Sequence, residues 1–162
     1  MKNLKHVFVL ALMLAGLFLA PAWGKELPRR HTLFELGAAY DALAPQLAAF
    51  NCKENGPQTS ECILMGYPGR DDFLALKFYQ KTLVAIAQFQ WGVNVEDVLK
   101  ETNQRLGKPT MPEYKSDRAI VYFWNDKKTH ITLTHLVASG YIVYEIRDVE
   151  KEPLYRKAVG YK

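Results

Sequence analysis

The sequence predicts an α+β two-layer sandwich: an antiparallel sheet of about five strands, one main packed helix and a short N-terminal helix. Three observations carry this expectation. "WGVNVEDVLKETNQRLGKP" has the caps and apolar stripe of a helix, "FLALKFYQKTLVAIAQFQ" reads as a β-hairpin, and the last third alternates β-rich runs with turn residues. Strands gathered in runs with helices set apart from them define the α+β class.

The chain begins with "MKNLKHVFVLALMLAGLFLAPAWG", in which Lys2 and Lys5 precede an apolar run from Val7 to Ala20 and small residues lead into charged sequence. This is the layout of a signal peptide over residues 1–24, with cleavage after Ala22 or Gly24. The apolar run is shorter than the roughly 20 residues of a spanning helix, so contact with a membrane is expected only through the signal peptide. Residues 25–33, "KELPRRHTL", show no periodicity and are expected to be a flexible leader.

A short helix is expected over 41–50, capped by Asp41, with Leu43, Leu47 and Phe50 at helical spacing and Pro45 near its start. "NCKENGPQTSEC" follows as a turn-bearing loop, and a short strand is expected at Ile63 to Met65. In the hairpin, Leu74, Leu76 and Phe78 alternate with Ala75, Lys77 and Tyr79, and the turn falls around Gln80 to Thr82. Its return strand carries apolar residues on both faces, which requires either two covered faces or a bulge that resets the register. The main helix is expected from Asn94, a good N-cap, to Leu106, ended by Gly107 and Pro109. "TMPEYKSD" reads as a loop. "RAIVYFW", "THITLTHL" and "YIVYEIRD" read as a three-stranded meander, and 150–162 as a charged C-terminal tail docking through Leu154 and Tyr155. The single α+β domain is thus expected over 34–149.

Removing residues 1–24 takes two of the 21 Lys and Arg and none of the 17 Asp and Glu, leaving 19 minus 17, or +2. That small charge gives no reason to expect a nucleic-acid partner. The remaining 138 residues, 162 minus 24, suit one domain. The two cysteines, Cys52 and Cys62, are expected to form a structural disulfide. Outside the cytosol such pairs usually oxidise, the intervening Asn-Gly-Pro turn brings the ends together, and the spacing is that of neither a C-x-x-C redox motif nor a zinc finger.

No catalytic, metal or cofactor constellation stands out. His130 and His135 lie five residues apart on one predicted strand, so they point to opposite faces, and His31 lies in the leader. Ser60, Ser116 and Ser139 occupy no nucleophile elbow. Glu61, Asp71 and Asp72 read as solvated loop ends, and "GYPGRDD" precedes a strand where an anion cradle needs a helix N-terminus. Aromatic residues are more suggestive. Tyr122, Trp124, Tyr141 and Tyr144 sit on sheet strands, and those that face outward form a possible binding surface. Trp124, amid Ile120, Val121 and Phe123, is expected to be structural before it is functional.

The segments "ELGAAYDALAPQL", "FNCKENGPQTSEC", "LKFYQKTLVAIAQF", "LKETNQRLGKPT" and "YFWNDKKTHITLTH" follow one another from about Leu36 to Arg147. In this layout the chain resembles a group of small, mostly uncharacterised exported proteins and domains of Gram-negative bacteria. Arg105-Leu106 stands where that group commonly has a basic residue and an aromatic. The resemblance implies an α+β domain in an oxidising envelope compartment and supplies no activity or site residues.

The sequence therefore indicates an exported domain, periplasmic or secreted, without naming an activity. The expectation is a non-enzymatic periplasmic binding or accessory protein of the cell envelope, its partner an envelope protein or peptide. The alternative is an inhibitor or immunity protein against a secreted hydrolase. A hydrolase itself is disfavoured because no nucleophile is seen beside a base.

Overall fold

The computed structural model describes residues 26–66 and 72–160. The expected signal peptide, and Asp71 with the Gly-Arg turn before it, lie outside the described residues.

The fold is mostly β. Two short strands, β1 (Arg30–His31) and β2 (Phe34–Glu35), pair as a ribbon. The helix α1 (Tyr40–Leu47) precedes four strands in sequence: β3 (Asn51–Gly56), β4 (Thr59–Met65), β5 (Phe73–Tyr79) and β6 (Thr82–Trp91). The helix α2 (Val95–Leu106) precedes four more: β7 (Met111–Lys115), β8 (Ala119–Asn125), β9 (Thr129–Leu136) and β10 (Tyr141–Asp148). A last helix, α3 (Glu152–Ala158), closes the described chain. The main sheet has eight strands, ordered β3-β4-β5-β6-β10-β9-β8-β7, with antiparallel pairing throughout. The molecule thus holds two units of a helix followed by a four-stranded meander, joined where the last strands, β6 and β10, pair at the centre.

This corrects the expected two-layer sandwich with about five strands and one main helix. The unforeseen strands β3 and β7 are the two edges of the sheet. All five residues of β7 are exposed and β3 is mostly so, and neither shows apolar alternation because neither has a face to bury. The Cys-to-Cys segment is itself the β3–β4 hairpin, with Cys52 directly opposite Cys62, and the two are joined as a disulfide. The tail forms α3, anchored by the buried Tyr155 while Leu154 stays exposed. The leader is also built in: Leu27 is buried and its N–H donates to the Asp126 carboxylate at 2.6 Å.

Local chemistry explains the elements that match expectation. Asn94 caps α2 by accepting from the Glu96 N–H at 2.8 Å, and Gly107, at φ 88°, donates its N–H to the Asn103 carbonyl. That positive φ favours glycine. At α1 the cap position falls on Ala39 and Asp41 lies in the first turn. No side chain caps this helix; its entry is held by Tyr40 N–H to Lys81 O and Leu83 N–H to Ala38 O. The return strand β6 contains the bulge: Lys77 pairs with Ala85 but Phe78 pairs with Leu83, leaving Val84 extra. The bulge turns both Leu83 and Ile86 toward the core.

Directly paired residues share a face of the sheet. One face carries Leu76, Phe78, Ile86, Trp124, Ile131, Leu133, Ile142 and Ile146, all at most 1% exposed. It is covered by Phe34 and Leu36 of the ribbon, Leu43 and Leu47 of α1, and Val95, Val98, Leu99 and Leu106 of α2. Each such large side chain contributes roughly 1.5–3 kcal/mol on burial. The helix α3 packs instead on the opposite face, against β5 and β6.

Candidate functional site

The opposite face is laid out in rows by the strand register. Met65, Phe73, Phe89, Val143, Thr134 and Val121 run straight across six strands, and Tyr114 extends the row to β7. Beside it lies the row Trp91, Tyr141, Leu136. On the other side come Ile63, Ala75, Ala87, Glu145, Thr132 and Phe123, and then Glu61, Lys77, Ala85, Arg147 and His130. The face therefore grades from aromatic to charged along the strands. The helix α3 lies toward the charged end: the carbonyl of its Ala158 comes within 3.8 Å of where a Cβ on Gly56 would stand.

The aromatic end is open and ordered by ring packing. Phe73 stacks on Phe89 with centroids 4.0 Å apart and planes 12° from parallel, and Tyr141 meets Phe73 edge-on at 6.4 Å. Trp91 is 56% exposed and Met65 70%, so two large apolar side chains at this end stand largely in water. The Trp91 N–H donates to the Asp72 carboxylate at 3.2 Å, which fixes the end of β6 beside the start of β5. Ala75, Ala85 and Ala87, in the middle of the face on the strands against which α3 packs, are at most 3% exposed, so the open part is the aromatic end.

At the charged end, Glu145 sits between Lys77 and Arg147, at 3.4 and 3.5 Å. His130 lies directly opposite Arg147, and its Nε2 is buried without a hydrogen-bond partner. Burial first, and the Arg147 charge next, lower the His130 pKa to about 4, so the ring is neutral at pH 7.

Of the residues expected to form a binding surface, only Tyr141 lies on this open face. Trp124 is fully buried on the covered face, its indole N–H donating to the Gly107 carbonyl at 2.9 Å. Tyr144 is buried there too, between the His31 ring at 5.4 Å and the Arg105 guanidinium at 5.1 Å. Tyr122 is half-buried against the core beside α2. Sequence reasoning passed over Phe73, Phe89 and Trp91. The period-two run from Ala85 through Ala87 and Phe89 to Trp91 was the signal for the last two, obscured by the bulge at Val84.

The remaining candidates for chemistry are dispersed. His130 and His135 lie on opposite faces, and the described residues contain no group of three or more metal-ligating side chains. Ser116 and Ser139 accept from backbone N–H groups in their own turns. Glu61 pairs across from Lys77, five residues along β5 from Asp72, a separation of about 16 Å that keeps these carboxylates from acting together. No described helix is long and apolar enough to cross a membrane.

No family model and no curated relative matches the chain. Among solved structures, a cysteine-rich secretory protein from Staphylococcus aureus superposes with a TM-score of 0.46 at 10% identity, over 77% of this chain and 48% of that one. The chain spans about half the length of that structure, and at this level of likeness neither fold nor function transfers.

Proposed function

We propose that this chain is a non-enzymatic binding protein of the cell envelope that docks a protein partner on the open aromatic end of its sheet. The observation that carries this is the cluster of Met65, Phe73, Phe89, Trp91 and Tyr141, with Trp91 and Met65 largely in water. Trp, Tyr, Phe and Met are the side chains enriched at protein interfaces, and an exposed indole set among near-neutral contacts is the usual form of a binding hot spot. The Cys52–Cys62 disulfide supports work outside the cytosol, where such bonds persist.

The edges support a face-on mode of docking. A sheet offers a partner its edges or its faces, and here both edges are blunted. Strand β3 carries a register shift between Glu54 and Gly56 together with Lys53 and Glu54, and β7 carries Pro112, a register shift and the Glu113–Lys115 ion pair. Bulges, proline and charge are the devices that stop strand addition. One face is covered, and α3 packs on part of the other, which leaves the aromatic end of that second face.

The test is crosslinked capture from envelope extract by the wild-type chain and by Trp91→Asp, followed by titration of the purified partner against both. Because Trp91 is exposed, the substitution should leave the melting temperature almost unchanged while binding falls at least tenfold, the usual scale for an aromatic anchor. Equal binding by both chains would refute the assignment of this face.

A further inference from the structure

A second feature, distant from the aromatic face, is a cleft of about 640 Å³ between α2 and the edge strand β7. It is a shallow depression, open to solvent over most of its surface, and so suits an extended chain better than an enclosed small molecule. Leu99 and Asn103 of α2, Tyr122 of β8 and Pro109, Met111 and Pro112 line it. The walls are fixed in advance. Gly107 is held at both ends, by its N–H to the Asn103 carbonyl and by the Trp124 indole on its own carbonyl. Thr110 donates its N–H to the Phe123 carbonyl, and its hydroxyl accepts from the Asn125 N–H.

The polar groups of the cleft are few and unevenly used. The side-chain oxygen of Asn103 is buried and accepts no hydrogen bond. A primary amide offers an acceptor beside two donors, the complement of a peptide unit with its N–H and C=O. Glu113, the only carboxylate on the lining, is already paired with Lys115 at 2.7 Å. Lys108 is exposed and has no ion-pair partner among the described residues. The lining therefore carries one positive charge without an ion-pair partner, apolar side chains, and behind them an unused amide oxygen that a ligand meets once the Asn103 side chain turns outward.

We propose that this cleft binds the free C-terminal end of an extended apolar peptide. The terminal carboxylate pairs with Lys108, one backbone amide lies on the Asn103 side chain, and the peptide's apolar side chains cover Leu99, Met111 and Tyr122. Pro112 and the irregular pairing of β7 prevent a regular ninth strand, so recognition is by the carboxylate and side chains rather than by a ladder.

The experiment is an NMR titration of the purified chain with an acetylated apolar hexapeptide of Ala, Val, Leu and Phe, prepared as the free acid, as the C-terminal amide, and as the amide with a Glu inserted next to the end. Amide shifts should be confined to Leu99, Asn103, Met111, Tyr122 and their neighbours. The free acid should bind about tenfold more tightly than the amide, the difference made by one charge-assisted hydrogen bond, and Lys108→Gln should erase that difference. Recovery of affinity by the Glu-containing amide would overturn the assignment of a chain terminus as ligand. No saturable shift at these residues with any peptide, or equal affinity of acid and amide, would overturn the site. Neither result touches the aromatic face, whose test reads a different residue.

Discussion

The guanidinium of Arg29 donates to the carboxylate of Asp148 across 119 residues of sequence, tying the start of the described chain to the end of its last strand. Burial alone would push the Asp148 carboxyl up, but Arg29 and the N–H groups of Lys151 and Glu150 outweigh it and hold it below the usual carboxylate range. The same carboxylate therefore anchors the leader and caps the turn into α3.

Replacing Arg29 should show that tie. Arg29→Ala is expected to cost about 1–3 kcal/mol at pH 7, since it leaves a mostly buried carboxylate one partner short. Because the folded pKa is depressed, the stabilisation is present above the unfolded carboxylate value and is lost as pH falls through the folded value. Urea midpoints of the two chains should differ at pH 7 and converge as the solution is acidified below the ordinary carboxylate range.

His130 sets a second pH dependence, of higher onset. The unfolded ring titrates near 6.5 and the folded one at about 4, so between these values the unfolded chain binds more protons and stability falls as the solution is acidified. After discounting for solvent screening of a half-exposed ring, the loss amounts to about 1–2 kcal/mol. His130→Gln should flatten the melting-temperature profile between pH 7 and pH 4.5. An unchanged slope would assign the titration to another group; His31 is also lowered, by burial first, and is the next to replace.

Trp124→Ala should destabilise by about 3–5 kcal/mol, since it empties a fully buried site and frees the Gly107 carbonyl. Trp124→Phe separates the two contributions, retaining most of the packing and losing only the hydrogen bond. A melting temperature unmoved by Trp124→Ala would show that the ring is not core.

Thiol titration of the unfolded, unreduced protein should find neither Cys52 nor Cys62 free. Opening the bond by Cys52→Ser with Cys62→Ser should cost about 2–3 kcal/mol on the loop-entropy model. The bond staples an edge hairpin, so amide exchange should rise first in β3 and last in β9.

Patterned segments were legible in the sequence, and unpatterned ones were not. Asn94, Gly107 and the apolar stripe between them located α2 because caps and periodicity are local signals. The bulge in β6 was one of the two alternatives that apolar residues on both faces left open. The edge strands β3 and β7 were read as loops because an edge strand that buries no face has no alternation to detect, and Pro112 argued further against one. The binding surface was legible only in part. Which face of a strand is covered depends on where α1, α2 and α3 dock, and nothing within "RAIVYFW" or "YIVYEIRD" records that. Tyr141 and Tyr144 differ only in the parity of their positions, yet one faces the open side and the other lies under the His31 ring.

The pairing of β6 with β10 at the centre of the sheet also has a cost during synthesis. Every other neighbouring pair in the large sheet joins strands consecutive in sequence, so each meander closes soon after its residues emerge. Strand β6 must wait for α2 and all of β7 to β9 before its partner exists. During that interval "TLVAIAQFQW", ten residues without a charge, a proline or a glycine, is an unprotected edge of high β-propensity, the type of segment that recruits other chains into aggregates. A chain truncated after Leu136 should therefore precipitate rather than persist as a soluble half-sheet, and in the cell this span of synthesis is where a holding chaperone would have most to protect.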